Sequence, residues 1–296
     1  MYELLSLLSG AFIATLIAAN GMLSDLYGIY LGAVIIHVVG VAFSLAMMGV
    51  LKKGIHLDQR LPWCYFCGGA IGVIATIANN FAFGKIPITN IVALGLFAQL
   101  VTSLLIDNFG LFGMKLHRTT KYSLIGVAFA LVGIACMLDF TNTKAVLSIM
   151  LSLIAGACVV IVRTFNSKLA VHIGDLQSSF VNHLVGLPIT ILALFILGQA
   201  DLAGFHGFIP ANPFVYIGGA CGVMVVLVFN IVVPKVSAFY ITLLSFVGQI
   251  FTGLALDLIL KNPWDRATLT GAVLVAFGIL ISNIATYLHS QKLKRA

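Results

Sequence analysis

One segment of this chain is written twice. Gly68, Gly69, Gly72, Asn80, Lys85, Gln99, Thr102 and Asp107 recur 150 positions later as Gly218, Gly219, Gly222, Asn230, Lys235, Gln249, Thr252 and Asp257. Upstream, an offset of 146 pairs Gly10 with Gly156, Asn20 with Asn166, His37 with His183 and Gly40 with Gly186. Downstream, an offset of 145 pairs Gly126 with Gly271 and Gly133 with Gly278. The repetition includes polar side chains as well as glycines, so it marks a duplicated structural unit rather than shared composition. The halves are 1–140 and 145–296, and whatever the chain does must be within reach of a doubled unit.

The halves belong in a lipid bilayer. With 61% hydrophobic and 8% charged residues and a mean hydropathy of +1.12, the chain has too little polar surface to cover a soluble globule. A bilayer core about 30 Å thick takes roughly 20 apolar residues per helix. Ten stretches satisfy this, at about 3–20, 28–51, 62–83, 87–106, 121–138, 146–166, 177–198, 213–233, 237–258 and 267–288. They are too long and too uniformly apolar for the alternating strands of a membrane barrel. The expected fold is therefore all-α and integral to the membrane, with ten transmembrane helices arranged as two five-helix repeats.

An odd number of helices per repeat forces the second copy to enter the membrane inverted, and charge provides the check. The side bearing the N-terminus receives Lys52, Lys53, Arg60, Lys115, Arg118, Lys121, Arg163, Lys168, Lys235, Lys292, Lys294 and Arg295; the other side receives Lys85, Lys144, Lys261 and Arg266. Twelve against four puts both termini in the cytoplasm of a bacterial inner membrane. The net charge of +7 follows from this asymmetry and requires no nucleic-acid partner. Met1-Tyr2-Glu3 lacks the basic region of a signal peptide, so the first helix is expected to stay as an anchor.

Cys64, Cys67, Cys136, Cys158 and Cys221 all fall within expected helices, and the single Cys64-Tyr-Phe-Cys67 spacing has no histidine beside it, so no metal, disulfide or cofactor is expected. Gly68 with Gly72, and Gly218 with Gly222, form small-x-x-x-small patterns that let helix backbones approach closely in lipid. Gly126 and Gly133, like Gly271 and Gly278, share one helical face.

Polar side chains inside the spans carry the functional signal, because an amide or imidazole in hydrocarbon is costly without a partner or water. The candidates for lining a substrate cavity are Asn20, His37, Asn80, Gln99, Thr102, Arg163, Asn166, His183, Asn230, Gln249 and Thr252. Asn20 and Asn166 fall near the ends of their spans, where capping is the competing role. His37 and His183 lie deeper and either bond a neighbouring helix or bind substrate and protons. Gln99, Thr102 and Asp107 make a polar stripe, repeated by Gln249, Thr252 and Asp257, which is expected to face a shared central cavity. Arg163 breaks the duplication, its counterpart being Ile17. It either snorkels to the cytoplasmic interface or lines the cavity, where its guanidinium suits an anionic or carboxylate-bearing solute.

These residues carry a resemblance. Gly10 with Asn20-Gly-Met-Leu23, Gly68-Gly69-Ala-Ile-Gly72 after Pro62-Trp63, and Ala98-Gln99-Leu-Val-Thr102 leading to Ile106-Asp107-Asn-Phe-Gly110 make the first half resemble a YdcZ-type unit of the drug/metabolite transporter superfamily. Asn166-Ser-Lys-Leu169, Gly218-Gly219-Ala-Cys-Gly222 and Gly248-Gln249-Ile-Phe-Thr252 through Asp257 do the same for the second. The resemblance implies an inverted-repeat bundle that moves small metabolites, most often outward, with the last helix of each half packing the halves together. Asp107 and Asp257 carry over as signature positions without an assigned role. Leu16 and Val162 stand where the family pattern leads one to expect glutamine, and the first helix lacks the embedded glutamate of the related small multidrug transporters. Proton coupling, exchange and uniport thus all stay open.

The expected activity is a secondary-type transporter for a small polar metabolite or drug-like solute, working as an exporter by alternating access, without catalytic residues and with lipid and the solute as its partners. The alternatives are a lipid flippase, or a membrane-embedded enzyme acting on a lipid-linked substrate. The enzyme would need a concentrated, asymmetric catalytic set near an interface, whereas the polar residues here are dispersed and duplicated.

Overall fold

The computed structural model describes residues 1–55, 60–116, 121–137, 143–207 and 212–261, and beyond them 266, 269–271, 273–274, 277–278, 280–282 and 284–285. Arg118, Lys292, Lys294, Arg295 and parts of the tenth expected span lie outside the described residues. Among those described there are helices and no strands. The helices are α1 (Tyr2–Tyr27), α2 (Ile29–Val50), α3 (Cys67–Ala82), α4 (Ile88–Phe109), α5 (Lys121–Met137), α6 (Thr143–Ile173), α7 (Asp175–Leu197), the short α8 (Gln199–Ala203), α9 (Gly218–Val232) and α10 (Ala238–Ile259). Seven helical segments are long and apolar enough to cross a bilayer, with the 3-10 turn Trp63–Phe66 extending α3 to the required length.

Two helices are longer than the apolar runs suggest. α1 continues past Asn20 to Tyr27, and α6 past Asn166 to Ile173, because nothing in either stretch breaks a helix until Gly28 and Gly174. Those glycines adopt φ of 87° and 99°, a left-handed region that other residues avoid, and turn the chain directly into α2 and α7. Asn20 and Asn166 are therefore interior to their helices and cap neither end. After α2 turns in, its first amides are satisfied from a distance: Asp201 in α8 accepts from Tyr30 N at 2.7 Å and Leu31 N at 3.2 Å.

Each half packs through the other. α1 lies on α9 and α10, while α6 lies on α3 and α4. Between these helices the backbones nearly touch. A Cβ on Gly10 would collide with the Ser245 carbonyl, one on Gly248 with the Leu7 carbonyl, and one on Gly156 with the Gly95 carbonyl. Close approach of this kind supplies packing where lipid removes the hydrophobic driving force between helices. Ser9 and Ser245 bond across the α1–α10 seam at 2.9 Å. Ile13, Ile17, Ile88, Leu96, Val228 and Ile241 fill the apolar core around it. α5 packs on α4 and also meets the residues after α10, where Phe129 and Phe277 are edge to face at 6.1 Å and Gly126 faces Ser282.

α4 and α10, the matched fourth helices of the halves, run antiparallel and cap one another. Asp257, near the end of α10, accepts from Ile88 N at 3.2 Å, Thr89 N at 2.9 Å and the Thr89 hydroxyl at 2.5 Å, all in the first turn of α4. Asp107, near the end of α4, accepts from Phe239 N at 2.9 Å in the first turn of α10. Thr89 and Phe239 are themselves 150 apart, so the two bonds are copies of each other. The signature aspartates thus act as helix N-caps supplied from across the bundle. Loss of an N-cap costs about 0.5–2 kcal/mol. Asp257→Ala is expected to destabilise the detergent-solubilised protein by at least the upper part of that range, because three buried donors lose their acceptor together. An unchanged melting temperature would contradict the assignment.

Candidate functional site

A cavity of about 120 Å³ opens where α1, α2, α3, α6, α7 and α9 converge. α1 contributes Ile13, Leu16 and Asn20, and α9 contributes Val225, Val226 and Phe229, so one wall is largely apolar. The polar lining comes mostly from the other helices: Thr76 and Asn79 from α3, Arg163 from α6, Asn182 and His183 from α7, and His37 from α2, interspersed with Ile36, Ala75, Val159 and Val162.

The two histidines sit at the crossing of α2 and α7, ring to ring at 5.6 Å and edge to face. Each rests on a glycine of the opposite half: His37 fills the space a side chain on Gly186 would need, and His183 that on Gly40. This explains why His37, Gly40, His183 and Gly186 repeat together. Their hydrogen bonding differs. His37 Nδ1 pairs with the Ala33 carbonyl at 2.9 Å, whereas both ring nitrogens of the buried His183 have no partner.

The asparagines show the same split between shared architecture and divergence. Asn166 Oδ1 lies over Gly68, and Asn20 Oδ1 over Gly218, so the glycine-rich starts of α3 and α9 exist to admit an amide from the other half. Asn166 then donates to Asn182 Oδ1 at 2.8 Å. The residue equivalent to Asn182 is Ile36, and Asn20 Oδ1 is left without a partner beside the cavity. Asn80 and Asn230 make matched bonds inside their own halves, donating to the Ile29 carbonyl at 3.5 Å and the Asp175 carbonyl at 2.9 Å, the first residues of α2 and α7.

Arg163 does not snorkel. It is 2% exposed and lines the cavity, its guanidinium 5.4 Å from the centre of the Phe229 ring. Nη2 donates to the Ser103 hydroxyl at 2.8 Å, the Thr242 hydroxyl at 2.7 Å and the Ala238 carbonyl at 2.9 Å. Nε and Nη1 have no partner. Arg163 is therefore not a loop cation, and the charge comparison becomes eleven to four with its sign unchanged.

Of the residues singled out by sequence, the cavity brings together Asn20, His37, Arg163 and His183. Asn166 reaches it through Asn182. Asn80, Gln99, Thr102, Asn230, Gln249 and Thr252 lie outside its lining, and Gln99 and Gln249 are buried within α4 and α10. Three polar lining residues were not selected from the sequence: Thr76, Asn79 and Asn182. Their counterparts are Val226, Phe229 and Ile36, so a usable signal was present in the polar residues that lack a polar copy. A second recess, of about 330 Å³, adjoins the α4–α10 cap and is lined by Asp107, Lys115, Ser167, Lys168, Lys235, Ser237 and Ala238 among others. No group of three or more histidine, cysteine or acidic side chains able to hold a metal occurs among the described residues.

A bundle of membrane-length apolar helices joined by glycine contacts holds a small cavity in which Asn20, Arg163 and His183 keep unpartnered polar atoms, an arrangement suited to a membrane transporter. The sequence profile of the family described as "Putative inner membrane exporter, YdcZ" matches residues 1–136 and again 147–281. The chain belongs to that family, as two tandem copies of its unit in one integral inner-membrane protein. No curated protein matches it in sequence. A crystal structure described only as "Crystal structure of protein" is similar in fold, with a TM-score of 0.65 at 14% identity over 96% of each chain.

The amide pair at the cavity edge is open to a direct test. Asn182→Leu strands the buried Asn166 amide and is expected to destabilise the protein by about 1–3 kcal/mol, whereas the double replacement with Asn166→Leu recovers part of that loss. Thermal melts of the three variants would show it; strict additivity would rule out the pairing.

Proposed function

We propose that the protein is a ten-helix, inverted-repeat exporter that carries a small polar solute across the inner membrane by alternating access, with both termini in the cytoplasm. The observation that carries this reading is the exchange of contacts between halves. Asp107 and Asp257 cap each other's helices, Asn20 and Asn166 enter each other's glycine faces, and His37 and His183 rest on each other's glycines. Every one of these contacts joins one half to the other and has a copy with the roles of the halves reversed. Such an assembly can exchange the conformations of its two halves and thereby turn one cavity from one side of the membrane to the other. The cavity is bordered by helices of both halves, so rocking one against the other changes its access.

Cysteine accessibility tests this on a cysteine-free background. Thr76→Cys is expected to react with a membrane-impermeant maleimide from either side of the membrane, in proportions that shift when a transported solute is added. Lys53→Cys is expected to be shielded in intact cells and Lys261→Cys labelled. Reaction of Thr76→Cys from one side alone under all conditions would contradict alternating access, and the reverse pattern at Lys53 and Lys261 would overturn the orientation.

A further inference from the structure

We infer that the solute is a small organic oxyanion, a carboxylate with a short apolar body, and that Arg163 holds its charged end. The inference rests on the transporter reading above and deepens it. Its starting point is a concerted break in the duplication. Arg163 touches Ser103 and Thr242; the equivalents of these three residues are Ile17, Gly253 and Val92. A mutually bonded polar cluster in one place is thus replaced at all three positions by residues without a polar side chain in the other. Packing alone does not require the cluster, since the second copy of the framework is built without it.

The cluster also leaves a charge only partly matched. Burying a guanidinium costs several kcal/mol unless a counter-charge and hydrogen bonds compensate. Among the described residues Asp107 acts on the guanidinium electrostatically, but Arg163 hydrogen-bonds no carboxylate: Nη2 donates only to neutral oxygens, and Nε and Nη1 are unpartnered. A second group points the same way, for the His183 ring lines the same cavity with neither nitrogen bonded. An oxyanion placed there would accept from Arg163 and from a His183 N–H while neutralising the buried charge. The apolar lining residues Ile13, Leu16, Val225 and Phe229 suit an apolar body. An apolar cavity of about 150 Å³ holds benzene, so one of about 120 Å³ fits a solute of roughly five to six non-hydrogen atoms.

The approach is marked as well. The Ala238 carbonyl that anchors Arg163 belongs to a residue lining the larger recess, where Lys115, Lys168 and Lys235 gather with the single carboxylate of Asp107. Arg163 therefore stands between a basic recess and the central cavity, and the lysines would concentrate anions at its entrance.

Butyrate, butyramide and butylammonium share size and shape and differ in charge. Binding to the purified protein in detergent at neutral pH, read as a saturating rise in melting temperature, is expected for butyrate with about tenfold or greater preference over butyramide. Arg163→Gln should remove the preference, and Lys168→Gln with Lys235→Gln should weaken it most at low salt. Equal or better binding of butyramide or butylammonium, or no binding of any of the three, would overturn the inference. The wild-type comparison decides the matter even if Arg163→Gln does not fold. Flux in liposomes is measured with ethanesulfonate, which matches butyrate in its number of non-hydrogen atoms and cannot leak across as a neutral acid. Butyrate binding without ethanesulfonate flux leaves the anion site standing and removes the transporter reading. Saturable flux of a neutral or cationic solute alone does the reverse.

Discussion

The exchange of N-caps between α4 and α10 is the constraint from which the rest of the architecture follows. A helix leaves its first four backbone N–H groups unpaired, and inside a membrane there is no water to receive them. α4 begins after Pro87, which has no side-chain acceptor to offer, so its first amides depend on Asp257. α10 has its own Ser237, whose hydroxyl accepts from Tyr240 N at 3.3 Å, and still takes Asp107 at Phe239. A carboxylate at a helix N-terminus also meets the positive end of the helix dipole, an interaction worth more in a buried site than at a surface. Because each aspartate sits at the far end of its own helix, the two bonds can form together only if α4 and α10 lie antiparallel and in register. That register brings Ser103 beside Thr242 and sets the anchoring point of Arg163.

Residues that the two halves share and residues that they do not share perform different work. The shared residues Asn20 and Asn166, His37 and His183, and Asp107 and Asp257 make contacts across the boundary between halves, each with a counterpart contact in which the halves exchange roles, whereas Asn80 and Asn230 bond within their own halves. Gly69 lies against the Asn182 carbonyl and Gly219 against the Ile36 carbonyl, so the same backbone approach survives although the side chains above it are amide in one case and aliphatic in the other. Divergence is concentrated on the cavity wall. Thr76, Asn79, Arg163 and Asn182 have Val226, Phe229, Ile17 and Ile36 as their equivalents, so the cavity takes unmatched polar groups from a framework that is otherwise doubled.

This division explains what was legible in the sequence. The duplication, the membrane setting and the glycine faces could be read because packing in lipid admits few residue types at a close contact. His37 and His183 could be placed deep in the bundle because their matched glycines repeat with them. The role of Asp107 and Asp257 could not be read, since each bonds backbone more than 130 positions away and a cap supplied in trans leaves no local spacing. The polar stripe of α4 and α10 suggested a cavity wall, but those helices bury Gln99 and Gln249 away from it. Asn182, Thr76 and Asn79 gain no signal from the duplication because their counterparts are apolar, and they join Arg163, the unmatched polar residue that the sequence does single out, in the cavity lining.

That asymmetry bears on direction. In the proposed cycle, two identical halves would give inward-open and outward-open states of equal free energy, because each state is the other with the halves exchanged. Arg163, anchored to Ser103 of α4 and Thr242 and Ala238 of α10, ends the equivalence. Its three bonds tie α6 to the start of α10 and to Ser103 of α4, and the equivalent positions at the other cap are Ile17, Val92 and Gly253. Both ends carry an aspartate cap, but opening at the Arg163 end would in addition separate a buried cation from its hydroxyl partners, for which the other end has no counterpart. The two openings therefore cost different amounts, and a solute that supplies an acceptor to Arg163 lowers the larger cost. A bound anion would then do more than occupy the cavity: it would bring the energies of the two states closer together, which is the condition for a carrier to cycle only when loaded.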